Sequence, residues 1–334
     1  MNIPRIELAH GGGGRLTRDL IREEVVSRFG ESLQGLPDAA TLDVPPGGIV
    51  FTTDSYVVQP LEFPGGNIGH LAVHGTVNDL AVSGGKPMWL SLGLILEEGL
   101  PMEVFRRILD AVRSSANECG VTVVTGDTKV IPRGLCDGLY ANTAGIGLRM
   151  PGFSLGADRL RRGDSLLVSG PVADHGFAVL AARANIALRN GPRSDTAPVH
   201  RLVQACAPMA SAVRFMRDPT RGGLATVLNE LIDERHLGIR LDEQALPVSA
   251  GARAVSELLG LDPLHVASEG RMVLVCAPEA EAAILKAWRA MPEGSGAARI
   301  GEISDDAGRV ILDTLTGGRR LVDVPRGELL PRIC

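Results

Sequence analysis

Residues 49–96 read IVFTTDSYVVQPLEFPGGNIGHLAVHGTVNDLAVSGGKPMWLSLGLIL, and the change of period along them decides the fold class. Residues 49–53 are short and β-branched, a strand that delivers Asp54 at its exit. After the loop 59–66, Asn67 is placed to cap a helix running to about Ser83, where Gly84-Gly85 stops it. Residues 88–96 then read as a second strand. Upstream, Leu16, Leu20, Ile21, Val25 and Phe29 recur at helical spacing after a glycine run, and 35–48 reads as loop. Downstream, Pro101 opens a helix whose apolar side carries Val104, Phe105, Ile108, Leu109 and Val112, closed by Gly120. Residues 121–125 form a further strand that ends at Gly126-Asp127. Another spans 139–148, its two glycines marking a bulge or a close backbone contact.

The polar stretch 149–163 separates two halves. In the second, strands are expected at 164–169, 237–241 and 271–276, helices at 175–187, 199–215, 223–234 and 278–291, and two or three strands at the end. Strand–helix alternation throughout predicts two α/β-type domains, placed at 1–155 and 156–324, with a tail at 325–334.

The 334 residues suffice for two such domains with substantial cores. A net charge of −5 and only 3% aromatic residues leave neither a basic footprint nor base-stacking platforms, so no nucleic-acid partner is expected. No apolar stretch is long enough to span a bilayer, and MNIPRIELAHGGGG lacks the apolar region of a secretory signal. The five cysteines (Cys119, Cys136, Cys206, Cys276, Cys334) are odd in number, dispersed and free of any CxxC pair. That fits reduced thiols in the cytoplasm rather than a disulfide framework or a zinc site.

Gly11, Gly12, Gly13 and Gly14 leave backbone N–H groups unshielded just before a helix, a favourable setting for phosphate, although no Lys-Ser/Thr follows as in a P-loop. Asp54, Asp79 and Asp127 sit in similar contexts (TTDS, VNDL, TGDT). Each alone reads as a turn or structural acid. Together with the glycine run they suit magnesium bridging nucleotide phosphates. Asp218-Pro-Thr-Arg221-Gly-Gly adds a carboxylate, a guanidinium and close-approach backbone at another turn. Lys129 is a phosphate contact, a proton-transfer group or a solvent-facing residue. Glu269, between apolar segments, is a perturbed or a salt-bridged acid. His70 and His74 share a helical face at i, i+4, but no HExxH pattern surrounds them, and a structural role is the ordinary reading. Cys334 is the last residue. Ten extended residues reach at most about 33–36 Å, enough for its thiol to visit a site and leave, and Arg332 nearby would favour thiolate.

In this order His10–Gly14, Asp54-Ser55, GTVNDLA (75–81), GDTKV (126–130), 217–223 and the terminal Pro-Arg-Ile-Cys resemble the carbamoyl dehydratases of hydrogenase maturation. These belong to the aminoimidazole ribonucleotide synthetase-like ATP enzymes. The resemblance covers nearly the whole chain; Gly12 departs from it, standing where the family pattern has serine. It implies a ferredoxin-like α+β N-terminal domain that forms a homodimer through its sheets, an α/β C-terminal domain and a mobile tail. It further implies ATP and Mg2+, held by Asp54, Asp79, Asp127 and Asp218 with the glycine run, Asn78 and Arg221. A HypF-type carbamoyltransferase would load Cys334, with Lys129 and Glu269 handling protons and charge during dehydration. A HypC–HypD-type complex would accept the resulting cyanide for the iron of a nickel–iron hydrogenase. Sister activities fit less well. Selenophosphate synthetase would carry a reactive cysteine near its N-terminus, whereas the first here is Cys119, and a thiamine-phosphate kinase would have no use for Cys334; a purine-pathway ligase is a further alternative. A non-catalytic scaffold that docks maturation partners through its tail stays open.

Overall fold

The computed structural model describes residues 5–11, 15–29, 42–186, 189–232, 236–324 and 333–334. Gly12–Gly14 and most of the tail lie outside them. The first half is a two-layer α+β unit. Its strands are β1 (Ile49–Tyr56), β2 (Gly85–Glu97), β3 (Thr122–Ile131) and β4 (Leu139–Arg149), with helices α1 (Ile68–Val82) and α2 (Met102–Cys119) between them. The sheet order is β1-β4-β2-β3. The layering is that of a ferredoxin-like sandwich, but the connectivity is its own. Helix α2 crosses over between β2 and β3 and so makes them parallel, while the other two pairs are antiparallel.

Local chemistry sets the element ends. Asn67 accepts from the N–H groups of Gly69 and His70, and the His70 side chain closes the capping box. This gives His70 a structural role, and among the described residues no group of three His, Cys, Asp or Glu could hold a metal. Gly120, at φ 65°, ends α2. Gly145 shows why β4 carries glycine: a Cβ there would lie 2.7 Å from Thr76 Cγ2 and 2.9 Å from Leu80 Cδ1 of α1. Leu90, Leu92, Leu94 and Leu96 point under α1 and α2 into the first core.

The second half holds a seven-stranded sheet built from β5 (Ser165–Val168), β6 (Val213–Arg217), β7 (Gly238–Asp242), β8 (Val273–Cys276), β9 (Ala298–Ser304), β10 (Val310–Asp313) and β11 (Arg319–Leu321). Its order is β11-β10-β7-β9-β5-β8-β6, and only β10–β7 is parallel. Alternation of strand and helix led to an α/β expectation, yet strands distant in sequence insert between neighbours and turn the sheet mostly antiparallel. The helices are α3 (Asp174–Arg183), α4 (His200–Ala205), α5 (Gly223–Ile232), α6 (Ala250–Leu259) and α7 (Pro278–Arg289). The long helix expected over 199–215 is instead α4, a 3-10 turn and the edge strand β6. Pro208 removes a donor and breaks the run, leaving Val213–Arg217 free to pair with β8.

Candidate active site

Two expected strands overshoot their predicted ends. Asp54 lies inside β1 rather than beyond it, and Asp127 and Lys129 lie inside β3. Pairing register fixes where they face. Asp54 is in register with Thr143, Thr143 with Leu92, and Leu92 with Gly126, so Asp54 is on the helix-covered face. Asp127 belongs to the next row, with Gly93, Asn142 and Ser55, on the opposite face. Since β1 and β3 are the two edges of the sheet, three strand spacings of about 4.8 Å also separate them. One chain therefore does not bring Asp127 or Lys129 to Asp54. The short turn Leu8–Gly11, which leads into the glycine run, lies beside β3 as well.

The other candidates do converge. Asp79, on α1, accepts a hydrogen bond from Thr52 Oγ1 of β1 at 3.0 Å. Asp54 accepts at 2.8 Å from the Ser55 N–H. Asp218 follows β6 and is buried; burial, then the charges of Asp79 and Asp54, push its carboxyl up to about 7 against the pull of Arg217. The turn after it is closed by Gly222 and Gly223, both at positive φ, and a Cβ on Gly223 would lie 2.7 Å from the carbonyls of Leu264 and Val266. Arg221 stands exposed on this turn.

Glu269 completes the group. Its segment is pinned on several sides: Ser268 N–H donates to Pro219 O at 3.0 Å, Ser268 Oγ accepts from Ala173 N–H at 2.8 Å, and Glu269 N–H donates to Asp195 at 3.0 Å. Asn78 adds a clamp from the first half. Its Nδ2 donates to the carbonyls of Ala197 and Glu269, each at 3.1 Å, and its Oδ1 accepts from Val199 N–H at 2.8 Å. With its side chain so engaged, Asn78 could contact a nucleotide only by breaking these bonds. Glu269 is 2% exposed, and its Oε1 has no hydrogen-bond partner among the described residues. Burial first, then the charges of Asp218 and Asp195, raise its carboxyl well above the usual range.

Into this group reaches the end of the chain. Ile333 is 2% exposed in the first core, and the Cys334 thiol lies close to Glu269, each group shifting the other's pKa. Burial and then the Glu269 charge raise the thiol well above its ordinary value, with Arg221 opposing. The sequence suggested an exposed terminal thiolate; enclosure beside an acid makes it a protonated thiol in this position. The structure thus assembles Asp54, Asp79, Asp218, Glu269 and Cys334, with Arg221 near enough to act on the thiol. Sequence reasoning missed the supports: Thr52, Asp195, and His175 with Ser194, which carry no motif and act only through tertiary contact.

The donor set suits a divalent cation held jointly with phosphates. No described group of three could hold a metal unaided, and magnesium commonly takes one or two carboxylates together with phosphate oxygens and water. Half-buried Asp54 and Asp79, beside an Asp218 whose charge they suppress, offer such a share.

Comparison with known proteins covers both halves of the chain. The N-terminal domain model of AIR synthase related proteins matches residues 37–149, and the C-terminal domain model matches 161–313. Carbamoyl dehydratase HypE of Bradyrhizobium diazoefficiens is 48% identical over 332 residues, 98% of this chain and 96% of that protein. A crystal structure of HypE in complex with ATP has a TM-score of 0.94 at 42% identity, covering 98% of this chain and 99% of that one. A HypE–HypF complex gives 0.81 at 39% identity, covering 92% and 99%. Matched from end to end by these enzymes, the chain belongs to the carbamoyl dehydratase HypE family of AIR synthase related proteins.

Proposed function

We propose that this chain dehydrates a carbamoyl group carried on Cys334 to a thiocyanate, using ATP, and so supplies the cyanide ligand for the iron of a nickel–iron hydrogenase. The observation that carries this is the seating of the terminal thiol on Glu269, beside three aspartates that converge from both halves of the chain. A relative crystallised with ATP and another with HypF support the nucleotide and a HypF-type carbamoyltransferase as loading partner.

The chemistry follows from the residues. The carbamoyl oxygen of the S–C(=O)–NH2 group takes the terminal phosphoryl of ATP, releasing ADP and turning a poor leaving group into phosphate. The nitrogen gives up two protons in all, the C–O bond breaks with departure of phosphate, and S–C≡N remains. Asp54 and Asp79, with Asp218 beside them, would share Mg2+ with the phosphates, and the ion would supply charge neutralisation there. Glu269, raised by burial and by its neighbours, takes up a proton more readily than an exposed carboxylate and lies against the sulfur that bears the group. The tail, residues 325–334, then carries the thiocyanate out to a HypC–HypD-type acceptor.

A homodimer is part of the proposal. Asp127 and Lys129 are opposite in edge and face to Asp54, and the turn Leu8–Gly11 lies beside the same edge strand, β3. The open face carries Phe51, 63% exposed, with Ile49 and Ile95 also exposed. Pairing two such faces would cover them and bring one copy's Asp127 and Lys129 toward the other copy's acids.

Substitution separates the roles. Cys334→Ala should abolish thiocyanate formation and leave ATP binding intact by calorimetry, because the side chain ends the chain. Asp54→Asn should weaken magnesium–ATP binding about tenfold or more. Thiocyanate or cyanide produced by Cys334→Ala would sink the proposal.

A further inference from the structure

Fully buried His175, the second residue of α3, contacts the tail directly: its Nε2 lies 2.7 Å from the carbonyl oxygen of Ile333. A carbonyl only accepts, so Nε2 carries the proton. Burial pushes the imidazole pKa down from 6.5 to about 4, so at neutral pH the ring is uncharged and Nδ1 must accept. Its partner there is Ser194 Oγ at 2.8 Å, whose hydroxyl donates to Nδ1 and which itself accepts from Thr196 N–H at 3.1 Å. Ser194 N–H donates to Pro64 O at 2.7 Å, and the Thr196 hydroxyl meets His74 Nδ1 of α1 at 3.2 Å. Phe63 stands edge-on to the imidazole, with centroids 5.4 Å apart and planes at 82°. Every hydrogen-bonding atom of the ring is thereby assigned, and both halves of the chain hold it.

We infer that His175, oriented by Ser194, is the positioning residue for the reacting cysteine: it grips the Ile333 carbonyl and so sets the Cys334 sulfur on Glu269. The thiol belongs to the residue that directly follows the gripped carbonyl. With the carbonyl fixed and the Ile333 side chain buried, Cys334 has only its own few torsions left to search. A ring that donates at one nitrogen only while the other is engaged by Ser194 gives the tail one docking geometry. Without it the tail loses a buried hydrogen bond, and the carbonyl must be buried unpaired or return to water. Both ring nitrogens of His175 are engaged elsewhere, by Ser194 and the Ile333 carbonyl, so it acts on the thiol through the backbone. The inference rests on Cys334 being the reacting residue, but docking is measurable without the reaction.

The test uses the full-length protein without nucleotide and follows iodoacetamide labelling of each cysteine by peptide mass. His175→Leu should speed labelling of Cys334 about tenfold, the effect of losing roughly one well-placed hydrogen bond. His175→Gln keeps an N–H donor at similar reach and should label at close to the wild-type rate. Buried Cys119, Cys206 and Cys276 report whether the core is intact and should stay protected. Unchanged Cys334 labelling in His175→Leu with those three protected overturns the inference. If His175→Leu exposes them, Ser194→Ala decides instead: about threefold faster Cys334 labelling supports the latch, and a wild-type rate refutes it. In single turnover, His175→Leu should bind ATP normally and dehydrate the loaded cysteine at least about tenfold more slowly, with His175→Gln restoring most of the rate. Failure of the dehydration reading would leave no thiocyanate in wild type either, while the labelling difference would persist.

Discussion

At the scale of single residues, this site is governed by groups removed from water. Glu269, Asp218 and Cys334 all have raised pKa values, and burial is the largest cause for each. His175 goes the other way, because burial disfavours its charged form. The sign of its pH effect follows. The unfolded chain takes up a proton at this histidine below about 6.5, whereas the folded one does so only near 4. Stability is therefore complete above 6.5 and is lost as the pH falls toward 4. Between pH 7 and pH 5 wild type should lose about 2 kcal/mol more than His175→Gln in chemical denaturation, and parallel curves would refute the assignment. Glu269 and Cys334 could be named from sequence because their types and positions are unusual: an acid between apolar runs and a cysteine at the end. His175, Ser194 and Asp195 could not. Each is an ordinary residue made consequential by partners 19 to 158 positions away.

At the scale of elements, α1 joins the two halves. Its N-terminus was legible because Asn67 is a capping residue before an apolar run, and its end because Gly84-Gly85 follows it. What its polar residues do was not legible, since Asn78 spends its side chain on the backbone of the other half. Asn78→Ala leaves one N–H and two carbonyls of a buried junction unpaired, and should cost about 3 kcal/mol in thermal or urea unfolding. A loss below about 1 kcal/mol would show that the clamp is not stabilising. Helix α6 and strand β6 escaped prediction for different reasons. The former is amphipathic but short, and the latter hides behind a run of small apolar residues that only pairing with β8 resolves into a strand.

At the scale of the whole molecule, the sequence listed one set of phosphate and metal candidates, and the fold divides it in two. Chain order carries no information about which face of a sheet a residue occupies once strand order is unknown. The homodimer proposal makes a specific demand. If each site takes Asp54 from one copy and Asp127 from the other, Asp54→Asn and Asp127→Asn should each be inactive alone. A refolded equal mixture should recover on the order of a quarter of wild-type activity, because mixed dimers hold one intact site. No recovery in verified mixed dimers would place both residues in separate roles or in one chain. The central claim is most directly tested by the mass of the C-terminal peptide in a single turnover. Protein carbamoylated on Cys334 is given magnesium and ATP, and wild type and Glu269→Gln are followed in parallel. The account predicts that wild type loses the mass of one water from Cys334, while Glu269→Gln stays loaded or reacts about 100- to 10,000-fold more slowly despite normal ATP binding. A loaded Cys334 that never loses water in wild type, or that loses it equally fast in both proteins, would contradict it.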